Sequence, residues 1–397
     1  MAQSKAHDSR GKKVNRPISF VKVATQYENV GDCLINRELL RLLAERSDVY
    51  LDTQQCPAEF AAQLHAVLEH SGQNHTILRG SFYASILNAR RRQRECFWFL
   101  IPGGISGNGK QKTTLQSWIT DLPLKINHAL GVKICQVGAS FENMSQQHLD
   151  LWRQRRKFFS VFSPRDSLSA EYLTAHGIPC DPCIPDLAFN IFPDIPTHQS
   201  NSQSSRTTPD AQQSACFSFR TDQSPQQQSY ICTQLLSLCE KIGPKVQWKP
   251  VSQVHRDLPG MLAIRNEMLQ SKYEVAPVLD LHQDIGTCLS FYRNVSFVVS
   301  NRLHVLLMAA SQGARILALT GAHSGDRSSG AKLRGLLKDV GLEQAILDQD
   351  IANASNFSTH HQPGFVVSAS HLRFRLRQAF DSLFHVPFSD LSNVETQ

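Results

Sequence analysis

Segments that are apolar on both faces recur along this chain, each closed by a turn and followed by apolar residues at helical spacing. Residues 20–24 form the first such strand, and Asn29-Val30-Gly31-Asp32 makes the turn after it. Leu34, Ile35, Leu39, Leu40, Leu42 and Leu43 then mark the buried face of a helix over residues 34–45. Residues 49–52 are the next short strand, and residues 97–101 are apolar throughout, as a central parallel strand requires. That run ends in a predicted Pro102-Gly103-Gly104 turn. Strands are also predicted over 133–140 and 158–163, and Arg165-Asp166-Ser167 opens a helix with two good capping types, Asp166 and Ser167.

The pattern breaks over residues 197–214, which are almost all Gln, Ser, Thr, Asn and Asp and cannot bury enough apolar surface to order themselves. It restarts with strands at 216–220, 245–248, 295–300 and 315–319, and helices at 231–242 and 304–312. Leu372, Leu376, Ala379, Phe380 and Leu383 share one face of a last helix over 370–384. Strands alternating with helices on both sides of a polar linker predict an α/β protein of two similar lobes with parallel sheets.

Composition adds limits rather than a function. Hydrophobic residues are 41% of 397, enough for the cores of two or three domains. The 41 basic and 34 acidic residues leave a net charge of +7. A nucleic-acid groove interleaves a dense basic stripe with aromatics; the densest basic cluster here is the short Arg90-Arg91-Arg92-Gln93-Arg94, so no nucleic-acid partner is expected. Cys180-Asp181-Pro182-Cys183 is the single Cys-x-x-Cys among ten cysteines. It has no second pair or His partner at zinc spacing, so reduced thiols and no metal are expected. Residues 1–17 are polar and basic and lack the apolar block of a secretory signal. No run approaches ~18 apolar residues, so a cytoplasmic protein without a transmembrane segment is expected.

Ligands of parallel sheets bind beyond the carboxyl ends of the strands. Four places qualify: Asn29 to Asp32, Gly103-Gly104, Arg220, and Ser300-Asn301-Arg302-Leu303-His304. The last carries the sharpest signal. Arg302 and His304 stand at the mouth of an apolar helix, whose unsatisfied N–H groups favour an anion. No Asp or Glu occurs from Ile285 to Gly325, whereas Arg293, Arg302 and Arg315 do. Such a span suits phosphate or carboxylate. Gly103 and Gly104 allow a ligand close to the backbone, and Asp32 is also a candidate cap for the helix after it.

Taken together these motifs resemble the polysaccharide pyruvyl transferase family. The matching features are Asn29-Val30-Gly31-Asp32, Gly103-Gly104, Arg165-Asp166-Ser167, Gly177 with Asp186-Leu187-Ala188-Phe189, and Ser300 to His304. Two features depart from the family pattern. Gly313 is followed by Ala314-Arg315 without the usual Pro, and a long Gly/Ser-rich loop over 321–330 precedes Lys332.

The resemblance implies two Rossmann-like lobes in a GT-B-like arrangement. It divides the chain into a disordered basic N-terminus (1–17), an acceptor-side lobe (18–193), a linker (194–215), a donor-side lobe (216–350) and a C-terminal segment whose helix packs back on the lobes (351–397). It implies transfer of pyruvate from phosphoenolpyruvate to a sugar diol, forming a cyclic ketal, with no cofactor and no metal. His304 is expected to be the general acid and Asp32 to accept a hydroxyl proton. Arg220, Arg302 and Lys332 are expected to hold the donor, and Asn29, Gly103 and Gly104 to face a saccharide acceptor. A lipid-linked acceptor and a peripheral membrane contact stay open. Two other readings also stay open: a GT-B glycosyltransferase using a nucleotide sugar, and a non-catalytic sugar- or anion-binding protein.

Overall fold

Alternate residues of each strand feed different cores, and that alternation explains the architecture. The computed structural model describes residues 16–106, 114–193, 214–221, 225–243, 246–282, 284–319, 329–341, 345–347 and 363–385. The basic N-terminus up to residue 15, nearly all of the linker, the loop 321–328 and the tail beyond 385 lie outside the described residues.

The first sheet contains β1 (Ile18–Lys22), β2 (Asp48–Asp52), β3 (His75–Ile77), β4 (Cys96–Phe99), β5 (Gly103–Ser106), β6 (Lys133–Glu142) and β7 (Phe159–Pro164). Its helices are α1 (Val30–Ala44), α2 (Ala58–His70), α3 (Phe82–Arg91), α4 (Thr114–Ala129), α5 (Gln146–Arg156) and α6 (Ser167–Ala175). The second sheet contains β8 (Ser214–Ser218), β9 (Gln247–Ser252), β10 (Leu279–Asp280), β11 (Phe297–Ser300), β12 (Arg315–Leu319) and β13 (Ile346–Leu347). With it go α7 (Pro225–Ile242), α8 (Leu258–Gln270), α9 (Ile285–Arg293), α10 (Leu303–Ser311) and α11 (Ser329–Asp339), and the chain closes with α12 (Pro363–His385).

All strand pairings are parallel. The second sheet runs β10-β9-β8-β11-β12-β13, so its order reverses between β8 and β11. The first sheet reverses in the same way between β1 and β4. This is the doubly wound order of a dinucleotide-binding fold, which opens its ligand crevice at the reversal. One expectation needs correction. Gly103 and Gly104 do not turn the chain away but form β5, which extends the track of β4 along the same flank of β6. Phe97 pairs with Lys133 and Gly103 with Ala139, the same offset in both cases. Only residues 100–102 interrupt the pairing, where Pro102 lacks an N–H to give to the ladder.

The cores follow the strand period of two. In β11, Phe297 and Val299 join the outer core of the second sheet with Phe217 and Trp248. Val298 points the other way, into a core that also holds Val21, Leu51 and Phe99 of the first sheet. That shared core contains Leu34 of α1, Leu306 and Leu307 of α10 and Phe380 of α12, so apolar packing joins the lobes beneath the crevice. Each fully buried side chain of this kind stabilises by about 1.5–3 kcal/mol. The last helix packs on the first sheet, with Phe380 stacked on Phe99 and Phe384 against Phe97.

Candidate functional site

The second-lobe reversal point carries the basic residues. Ser218 of β8 pairs with Ser300 of β11, so Arg220 and Arg302 each follow their strand by two residues and stand side by side. Asn301 fastens the two loops: its carbonyl oxygen accepts from the Arg220 N–H at 2.6 Å and its amide donates to the Arg220 carbonyl at 3.4 Å. The Ser300 hydroxyl donates to the Ser218 carbonyl at 2.5 Å and accepts from the Arg302 N–H at 2.9 Å. Arg302 occupies the capping position of α10, and no side chain caps that helix. By contrast Asn29, Asp166 and Asp284 cap α1, α6 and α9. The N–H groups opening α10 are therefore left without a side-chain cap, and Asn301 holds the Arg220 backbone beside that start.

This site is not purely cationic, contrary to what the acid-free stretch suggests. The Arg302 guanidinium pairs with Asp257, whose other oxygen accepts from the Thr221 N–H at 3.0 Å. Asp257 reaches the site through the loop after β9, and it is buried. His304 likewise meets an acid from the first lobe. Its Nε2 lies 3.7 Å from an oxygen of buried Asp186, an ion-pair distance rather than a hydrogen bond, and has no hydrogen-bond partner among the described residues. Asp186 caps the 3-10 turn Leu187–Ile191 and accepts from the Arg165 guanidinium at 2.6 Å. Arg165 in turn donates to the Ser140 hydroxyl at 2.5 Å, and Ser140 donates to Asp166 at 2.5 Å. Burial alone would raise the Asp186 carboxyl, but Arg165, His304 and the Ala188 N–H outweigh it and hold the group well below the usual range. Asp186 is thus a fixed anion next to the imidazole.

The other side of the ring rests on Gly31. A methyl at Gly31 would sit 2.4 Å from His304 Nδ1, well inside contact distance. The first turn of α1 is therefore bare at the one place where α10 crosses it. Gly31→Ala is expected to lower stability by about 1–3 kcal/mol through overpacking. Chemical denaturation checks this, and an unchanged midpoint would mean that the imidazole swings away freely.

The first-lobe candidates are more occupied than expected. Asn29 caps α1, accepting from the Gly31 N–H at 3.0 Å and donating to Asp32 at 3.0 Å. The helix consequently begins at Val30, earlier than the leucine spacing indicates. Asp32 does not cap it. Its oxygens accept from Thr25 at 2.5 Å, the Gln26 N–H at 3.2 Å and Asn29. Asp32 thus braces the loop before α1 through three donors. Asn29 also forms a bridge to Val254, and the Val30 N–H donates to the Gln253 carbonyl at 3.2 Å, which ties the lobes together beside the site. Gly103, at a positive φ of 127°, and Gly104 lie beyond β4 at the first-lobe reversal. Lys332 belongs to α11, and its side chain lies outside the described residues.

Asp186, Arg165, Asp257 and Gly31 were not singled out as site residues from sequence. The Asn29-Val30-Gly31-Asp32, Arg165-Asp166-Ser167 and Asp186-Leu187-Ala188-Phe189 motifs were the available signal for three of them. Cys180 and Cys183 are free thiols, and burial pushes Cys183 up to about 12, which leaves it a weak nucleophile at neutral pH. His255, Asp280 and His282 are the group among the described residues that could hold a metal ion, with ligand atoms within 4.8 Å of one another. His255 follows β9, Asp280 ends β10 and His282 follows it, and neither Arg302 nor His304 belongs to that group.

The fold resembles solved GT-B-type structures at low identity. A glycosyltransferase from Rickettsia africae ESF-5 is 10% identical, with a TM-score of 0.52 over 96% of this chain and 100% of that one. HepE from Anabaena, solved in complex with UDP, is 12% identical, with a TM-score of 0.51 over 93% of this chain and 100% of that one. Comparison with curated proteins gives no match. The family profile of polysaccharide pyruvyl transferases aligns with residues 29–323, from the cap of α1 through the whole β11 to β12 region. A match over most of the chain, on a fold whose reversal point carries Arg220, Arg302 and His304, makes this protein a member of the polysaccharide pyruvyl transferase family and a transferase.

Proposed function

We propose that the protein transfers pyruvate from phosphoenolpyruvate to two hydroxyls of a saccharide, forming a pyruvate ketal. The observation that carries this reading is the uncapped start of α10, where Arg302 and His304 stand together beside Arg220. Phosphoenolpyruvate needs cations for its phosphate and carboxylate, and a proton donor for its methylene carbon. Arg220, Arg302 and the α10 N–H groups supply the first, and His304 supplies the second. Lys332 is a further candidate donor-side cation in this reading.

The proton traffic closes on one residue. Protonated His304 gives its proton to the methylene, which becomes the methyl of the product. Positive character then develops on the adjacent carbon, and a saccharide hydroxyl adds there. Its proton returns to the neutral imidazole. Phosphate leaves with the electron pair of the C–O bond, and the second hydroxyl closes the ketal, its proton passing to the departing phosphate. Asp186 steadies the imidazolium through charge, and Gly31 lets the ring sit against α1. Asn29, Gly103 and Gly104 line the acceptor side, with Asp32 as a brace. This chemistry asks for no cofactor.

A nucleotide-sugar donor is the competing reading. It asks for a carboxylate to hold a ribose, and Asp257, paired with Arg302 and accepting from Thr221, is the acid that this reading would use. Thermal shift discriminates: phosphoenolpyruvate should stabilise the protein, and UDP-sugars should not. The double variant Arg220→Ala, Arg302→Ala should weaken phosphoenolpyruvate binding by at least about 100-fold, because two charge-assisted contacts are removed. Unchanged binding by calorimetry would sink the assignment.

A further inference from the structure

The basic cluster Arg90-Arg91-Arg92-Gln93-Arg94 has no part in the site, and the fold sets it against an unexpected neighbour. Arg90 donates to the carbonyl of Leu130 at 2.9 Å, which joins the end of α3 to the end of α4. Along α4 and one residue past it, Leu122, Ile126 and Leu130 are 37%, 50% and 36% exposed. Their spacing of four residues stacks them on one face of the helix, and the Leu130 N–H continues the helical bonding to Ile126 at 3.0 Å. Arg91 and Arg92 are exposed beside this stripe. No Asp or Glu occurs from residue 79 to 94 or from 122 to 141. Of the acids bordering these segments, Asp121 is buried against Arg155, Glu95 pairs with Lys133, and Glu142 ends β6, nine residues on from Lys133.

We propose that this face, the outer side of α4 with the end of α3, docks the protein on an anionic lipid surface. An apolar stripe edged by exposed arginines with no competing acid matches what such a surface offers: acyl chains beneath a negative headgroup layer. Another protein would have to complement the arginines with acids and cover the leucines with a shaped apolar surface. No helix among the described residues is long and apolar enough to cross a membrane, so the contact is peripheral. The inference does not depend on the reaction assigned above.

Flotation with vesicles tests it directly, using the full chain and no substrate. The protein should bind vesicles of phosphatidylglycerol and phosphatidylcholine in equal parts, bind phosphatidylcholine alone weakly, and detach as salt is raised. Arg91→Ser with Arg92→Ser should weaken binding roughly thirtyfold, at about 1 kcal/mol per arginine. Ile126→Asp should weaken it at least about tenfold, because a charge is then forced into the acyl layer. Phosphate release from phosphoenolpyruvate with a water-soluble acceptor should be unchanged in both variants, and circular dichroism should show them folded. Two outcomes overturn the proposal. One is anionic vesicles binding no better than neutral ones. The other is a dimer in light scattering that Ile126→Asp splits, which would make the stripe a contact between copies.

Discussion

Replacing His304 with Gln should lower turnover by about 10²–10⁴-fold while phosphoenolpyruvate still binds, because general acid catalysis is worth that much and the arginines remain. Gln keeps hydrogen-bonding capacity and approximate size but cannot deliver a proton. Two measurements check this. Phosphate release in the presence of acceptor reads turnover. Incorporation of deuterium from heavy water into the product methyl reads the protonation step itself. If His304 is the acid, both fall together and calorimetric binding of phosphoenolpyruvate changes little. Near wild-type deuterium incorporation would remove His304 from the proton path even if turnover fell for another reason.

The position of the imidazole makes this the sensitive residue. It is the second residue of α10, two positions after the capping Arg302, so its backbone is set by the β11 to α10 junction. Gly31 fixes one side of the ring and Asp186 faces the other nitrogen. The ring is thus clamped between the first turn of α1 and the 3-10 turn Leu187–Ile191, both from the first lobe. The acid belongs to the second lobe, but its alignment depends on how the lobes meet. The bridge between Asn29 and Val254 lies at that seam, so a substitution there would act on chemistry without touching substrate.

Much of this was legible in the sequence, and the parts that were not share a physical cause. Strand and helix periodicity placed β11, α10 and β12, because each is set by local apolar spacing. The reversal points followed from parallel alternation. What local patterning does not encode is which residues meet across the fold. The stretch around Arg302 is free of acids in sequence, yet Asp257 reaches Arg302 from 45 positions away. Asp186 reaches His304 from the other lobe. The role of Gly31 was hidden for the same reason: a glycine in the first turn of a helix announces a turn, whereas its purpose here is room for a ring from another helix. Gly103 and Gly104 misled in the opposite direction. A Pro-Gly-Gly sequence usually ends a strand, but the long partner β6 supplies free backbone groups on which the track resumes.

Asp186→Asn should be the most damaging change in the protein, because it acts on stability and catalysis together. Asp186 and Arg165 are both buried, with side chains 1% and 9% exposed. Removing the anion leaves the guanidinium with the Ser140 hydroxyl and a more distant Asp166, 3.9 Å away. Stranding a buried charge in this way costs about 3–5 kcal/mol, which denaturant titration should show at neutral pH. The pH dependence has a definite sign. The folded-state carboxyl is held below its unfolded value, so its contribution is fully present above about pH 4. It is lost only as acid protonates the folded-state group. The stability gap between wild type and Asp186→Asn should therefore be constant through neutral pH and close at strongly acid pH. Catalysis supplies the second readout, one that a purely structural role would not move. Without the anion the ring loses the group that faces it at 3.7 Å, so kcat should fall while calorimetric binding of phosphoenolpyruvate changes little. A variant that loses stability but keeps the wild-type kcat at a temperature where it stays folded would leave Asp186 as a partner of Arg165 alone.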